Sequence, residues 1–147
     1  MTIEHEKPTL IGSDLTQFHG TTQYYKSPQP WIPFLYTDGV QHVAEKGEAY
    51  WILDLIGSWQ AEDPIRKDPR LQDIQFWTLT VNQNRSALMI CERDEGDIAI
   101  EQRIGLTDFP LPKIRFYLQN MWCYWRFVGT GSRTTSDYGV LILPSEY

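Results

Sequence analysis

Between Val40 and Trp59 the apolar residues Val40, Val43, Ala44, Gly47, Trp51, Leu55 and Trp59 return at intervals of three or four. At about 100° per residue that spacing lines one side of a helix, so the pattern predicts a main helix over residues 39–61 with this side as its core face. Asp38 and Gln41 stand three positions apart at its start, as in a capping box. Gly47 falls in phase with the apolar stripe, which reads as close packing rather than a break. Pro64 cannot continue the helix and disfavours helical geometry at Asp63, so the stop comes near Glu62.

Beyond a charged connector at residues 65–71 the period falls to two, the repeat of a strand whose alternate side chains face opposite sides. Residues 75–81 carry Trp77, Leu79 and Val81 on one face, residues 86–92 return after Asn82–Arg85, and residues 97–104 place Ile98, Ile100 and Ile104 on a common face. Short polar turns between them predict an antiparallel meander. Pro110 and Pro112 interrupt the ladder, and a fourth strand follows at 113–119 with Ile114, Phe116 and Leu118 together. The last strand, 138–143, is apolar on both faces, as a central or doubly covered strand should be. The fold expected is therefore α+β, one main helix packed on an antiparallel sheet of about five strands. Residues 1–13 lack any period and read as a flexible N-terminus ahead of a single domain at 14–147. Pro28, Pro30 and Pro33 rule out helix after it and predict an extended segment that crosses the core.

Charge narrows the range of partners. Nineteen acidic against thirteen basic residues leave a net charge of -6, which disfavours direct nucleic-acid binding, because that affinity comes mainly from Lys and Arg displacing counterions. No apolar run approaches the length of a membrane span, and no basic and apolar leader opens the chain. With only Cys91 and Cys123, these features point to a cytoplasmic protein with reduced thiols and no membrane partner. His5, His19 and His42 lack the spacing of metal ligands, so neither a metal nor another cofactor is expected.

Two places carry candidate chemistry. Asp54 falls on the apolar side of the expected helix, and a carboxylate there must be paired, hydrogen-bonded or protonated. It either anchors the N-terminal crossing or, in an enzyme, works as general acid or base with His19, Tyr24 and Tyr25. The segment Met121–Phe127 (MWCYWRF) concentrates the residue types that dominate protein interfaces, making Trp122, Tyr124, Trp125 and Arg126 candidate partner-binding residues. Its competing reading is an aromatic hairpin arm that extends the fourth strand. Arg126 lies close enough in sequence to Cys123 to lower its thiol pKa.

Four fragments stand in register: Phe18–Tyr25 (FHGTTQYY), Tyr36–Gly39 (YTDG) with Ala49–Asp54 (AYWILD), Thr107–Leu111 (TDFPL) and Leu143–Tyr147 (LPSEY). Together they resemble a family of small bacterial and phage proteins known only as a domain of unknown function, over most of residues 14–147. The resemblance implies a compact intracellular domain, often carried by mobile elements, with no established activity. The chain departs from the pattern between Leu118 and Tyr138, where it is longer. The function expected is thus a non-enzymatic protein-binding module or inhibitor, its acidic surface suited to a basic groove, that engages a protein partner or a second copy through residues 121–127. The alternative is an enzyme with its site at His19, Tyr24, Tyr25 and Asp54.

Overall fold

The computed structural model describes residue 10, residues 23–126 and residues 134–147. In chain order these form β1 (Tyr24–Lys26), β2 (Phe34–Thr37), α1 (Asp38–Lys46), α2 (Tyr50–Trp59), α3 (Asp63–Arg66), α4 (Pro69–Asp73), β3 (Ile74–Val81), β4 (Ala87–Asp94), β5 (Asp97–Ile104), β6 (Lys113–Gln119), α5 (Met121–Arg126) and β7 (Gly139–Ile142). Short 3-10 turns at Thr135–Asp137 and Pro144–Glu146 flank β7. The fold is α+β, as the two periodicities imply. All but one of the predicted N-terminal residues 1–13 lie outside the described residues, the exception being Leu10, which is buried.

The main helix is two helices. Ala49 N–H donates to Ala44 O at 2.8 Å and Glu48 N–H to Glu45 O at 3.4 Å, the paired bonds of a Schellman motif that closes α1. Glu48 takes the left-handed position, φ +51°, that glycine usually fills. The glycine in the sequence stands one residue earlier, so the apolar stripe ran through the break without a visible signal. The break also turns α2 about its axis: Ile52, Leu53 and Ile56 are buried, while Trp51, Leu55 and Trp59 lie at the margin of the core, partly buried. Nor is α1 capped by an Asp38–Gln41 box. Its first turn is closed from the other end of the chain, Glu146 accepting from Gly39 N–H at 3.1 Å and from the Thr37 hydroxyl at 2.6 Å. The charged connector folds as α3 and α4, with Pro64 and Pro69 in first turns, where a missing N–H is harmless.

Among the described residues the sheet has seven strands rather than five, in the order β1-β2-β7-β6-β3-β4-β5. Neighbours are antiparallel except β2 and β7, which run parallel, so the sheet is mixed. The meander β3-β4-β5 follows the alternation, and β7, read as central because it is apolar on both faces, lies between β2 and β6. Phe34, Tyr36, Leu141, Phe116, Trp77, Leu79 and Met89 pack from the sheet into a core shared with Val40, Val43, Ile52 and Ile56. Opposite β5 the register jumps from Cys91↔Ile100 to Glu92↔Ile98, a bulge at Ala99 that turns Ile98 to the other face and into solvent. Ile98 therefore does not share a face with Ile100 and Ile104. After β6, Asn120 adopts φ +60° and the chain turns into α5, with Met121 buried against Gly139. The aromatic segment is a helix, not a hairpin arm, because the left-handed residue at its start diverts the strand direction.

Candidate functional site

Strands β1 and β2 set Tyr25 directly opposite Tyr36, and their rings stack at 5.7 Å with an interplanar angle of 18°. Over this pair stand Gln41 of α1 and Tyr50, Leu53 and Asp54 of α2, while the proline-rich crossing from Ser27 to Ile32 forms the remaining wall. The cleft is about 410 Å³, within the usual range for small-ligand sites. The crossing is held down where Gly57 lets Ile32 approach α2, since a Cβ there would sit 3.1 Å from Ile32 Cγ1.

Its polar groups converge. Trp31 Nε1–H donates to Asp54 Oδ1 at 3.2 Å, Gln41 Nε2–H donates to Tyr50 Oη at 3.0 Å, and Tyr25 O–H donates to Gln23 Oε1 at 2.9 Å. Burial, followed by the hydrogen bond and negative charge of Asp38 and the charge of Glu45, raises the Tyr25 phenol above its ordinary pKa. Tyr36 is raised mainly by burial. Both phenols stay neutral at physiological pH, so neither is a base. Lys26, the one cationic residue of the lining among the described residues, has its ammonium 5.5 Å from the ring centroid of Tyr138, a ring that lines a separate hollow with Tyr24. Phenol rings and the Asp54 carboxylate are the kinds of group with which a cleft can hold a cation.

The fold brings together two of the residues singled out from sequence, Tyr25 and Asp54. Asp54 is half-buried and opens to the cleft, rather than sealed in the core. Tyr24 alternates to the other side of β1, where it lines a hollow of about 380 Å³ with Leu35, Cys123 and Tyr138. His19 lies outside the described residues. Tyr36, Tyr50 and Trp31 escaped sequence reasoning, because nothing local marks them as neighbours. Trp31, 56% exposed, also joins Trp51, Asp54, Leu55 and Ile104 around an adjoining groove of about 520 Å³.

The segment at 121–127 divides. Trp122 is exposed, with the Arg126 guanidinium 6.0 Å from its ring centroid. Tyr124 and Trp125 turn to the body: they meet edge to face at 5.0 Å, Tyr124 approaches Tyr138 at 6.1 Å, and Arg66 lies 4.2 Å from the Trp125 ring centroid. Phe127 lies outside the described residues. Partial burial raises the Cys123 thiol despite Arg126, and deep burial raises that of Cys91 far more, so neither is poised as a thiolate. Among the described residues no group of three or more His, Cys, Asp or Glu could hold a metal ion, and no helix is long and apolar enough to cross a membrane.

No curated protein and no solved structure matches the chain. Residues 9–147 match the model of a family of unknown function, DUF6876.

Proposed function

Because the chain belongs to the DUF6876 family, whose function is unknown, we propose from its own geometry that it is a non-enzymatic protein-binding module that grips a lysine or arginine side chain of a partner in the tyrosine-lined cleft. The observation that carries this reading is the composition of the lining: Tyr25, Tyr36, Tyr50 and Asp54 converge on one cleft, and Lys26, its one lysine among the described residues, lies near a ring outside it. Cations over aromatic faces gain about 0.5–2 kcal/mol, and a carboxylate at the rim adds a charge-assisted hydrogen bond. Exposed Trp122 and Arg126 serve as outer contacts, whereas Tyr124 and Trp125 anchor α5. A broader acidic mimicry of nucleic acid has less support, because acids of the β4-β5 end are met by arginines, Asp97 by Arg70 and Arg93, and Asp68 by Arg93.

The enzyme alternative draws on Asp54 opening to the same cleft. Against it, Tyr25 holds its proton and Tyr24 faces elsewhere. Titration with Nα-acetyl-lysine amide and with tetramethylammonium, followed by amide NMR shifts, separates binding from a vacant groove. The expected affinity is about millimolar, as befits a single side chain. Shifts should gather at Tyr25, Gln41, Tyr50 and Asp54, and Asp54→Asn should weaken them about threefold or more. Shifts spread evenly over the surface, or equal in the variant, refute the reading.

A further inference from the structure

Strand β5 ends the sheet, and no other strand pairs with its outer edge among the described residues. An unpaired edge of eight residues is a template for another strand, and proteins usually shorten or charge such edges. The opposite edge, β1, has only three residues. On β5 the bulge at Ala99 confines regular pairing to Ile100–Ile104. Within that stretch Ile100, Gln102 and Ile104 lie opposite Cys91, Met89 and Ala87, whose side chains enter the core, while Glu101 and Arg103 lie opposite Ile90 and Leu88 on the other face.

We infer that two copies of the chain associate through β5, antiparallel and edge to edge, in a register centred on Gln102. The argument is one of parity and charge. Directly opposed residues of an antiparallel pair point to the same face, so a two-fold axis must pass through a residue and not between two. Centring on Glu101 sets two carboxylates against each other, and centring on Arg103 sets two guanidiniums together. Centring on Gln102 sets Glu101 against Arg103 of the second copy twice on one face, and Ile100 against Ile104 twice on the other. Both charged residues are exposed, so neither is committed to the core.

A second observation falls on the same axis. Gln102 itself is steadied by Trp59, whose Nε1–H donates to Gln102 Oε1 at 2.7 Å, which stiffens the strand at the proposed axis.

Sedimentation equilibrium on the full chain, from micromolar to about 1 mM, tests the association. The wild type should dimerise. Arg103→Glu and Glu101→Arg should each weaken the dimer about tenfold or more, and the double swap Glu101→Arg/Arg103→Glu should restore it, because opposed charges return. Both sites are exposed, and an unchanged thermal melt of each variant confirms that the fold persists. The swap leaves the tyrosine cleft untouched, so its response to tetramethylammonium should not change. A wild type that remains monomeric throughout overturns the proposal, as does a dimer indifferent to the charge reversals. Loss of the dimer in Trp122→Ala/Trp125→Ala while Arg103→Glu has no effect would move the interface to α5 and overturn it equally.

Discussion

Gln60 and Gln75 join their side-chain amides face to face in the interior, each donating to the other's carbonyl at 2.9 and 2.8 Å. Gln60 also donates to Ile56 O, Gln75 donates to Leu71 O, and Trp77 Nε1–H donates to Gln75 Oε1 at 2.8 Å. Both side-chain amides and the Trp77 N–H, buried away from water, are thereby satisfied, and the pair ties the end of α2 to α4 and β3. Gln75→Leu keeps the volume but strands Gln60 Oε1 and the Trp77 N–H, so it should lower unfolding free energy by about 2–3 kcal/mol. The double variant Gln60→Leu/Gln75→Leu should cost less than the sum of the two single changes in a denaturant titration, since the two amides that orphan each other disappear together and only the Trp77 N–H stays unpaired. Additive losses would mean that the two amides act independently.

Gly47 and the two residues after it decide how the helical segment works. If the chain ran as one helix, Gly47→Ala would stabilise it by about 1 kcal/mol. In the Schellman geometry a Cβ at Gly47 would lie 2.7 Å from Val43 O and 3.1 Å from Phe109 Cε1. The expected outcome is therefore the reverse sign, a loss of about 1–3 kcal/mol, read from thermal or denaturant unfolding. The break has a functional consequence, because it brings Tyr50 to the start of α2 and so to the edge of the cleft. At α4, Asp68 caps Arg70 N–H at 2.9 Å and accepts from Arg93 Nε–H at 2.6 Å. The Arg93 hydrogen bond is the main cause that holds its carboxyl below the ordinary value of 3.8. A carboxyl depressed in the folded state adds stability above the unfolded pKa and loses it as pH falls through the folded one. Asp68→Asn keeps a capping oxygen and removes the charge. Its melting temperature should trail the wild type at pH 7, and the gap should close as the pH drops below about 4. A gap independent of pH would assign the loss to packing instead.

Across the molecule the two ends of the described chain are clasped. β2 and β7 pair in parallel though about a hundred residues separate them, and the turn after β7 returns Glu146 to the start of α1. That carboxylate accepts from the Thr37 hydroxyl, Gly39 N–H and Leu143 N–H, a negative charge placed at the positive end of a helix. Tyr147 meets Tyr117 edge to face at 5.4 Å. Deleting Ser145–Tyr147 should therefore lower stability by about 2–4 kcal/mol, as a fall in denaturant midpoint with unchanged slope. A midpoint within error of the full chain would show that the clasp is incidental.

The strands β3 to β6 were legible because alternation is local: β5 and β6 span the residues 97–104 and 113–119 that the period predicts. Phe34–Thr37 is buried on both faces and short, so it shows no alternation, and its strand identity comes from pairing with β1 and β7. The helix break hid in a backbone angle at Glu48, which residue type disfavours rather than signals. For the site, Asp54 stands out by its place on the apolar side of the helical pattern, with Tyr25 among its candidate partners, yet Tyr36 and Tyr50 join them only where β1, β2 and α2 meet, and Trp31 only through its bond to Asp54. The amino-acid pattern by itself determined the α+β class, the meander and the acidic, aromatic character, because side-chain periodicity and charge need no distant contact. Only the tertiary structure decided the parallel β2-β7 pair, the capping of α1 by Glu146 and the tyrosine cleft, since each joins groups whose neighbourhood exists only after the chain has closed on itself.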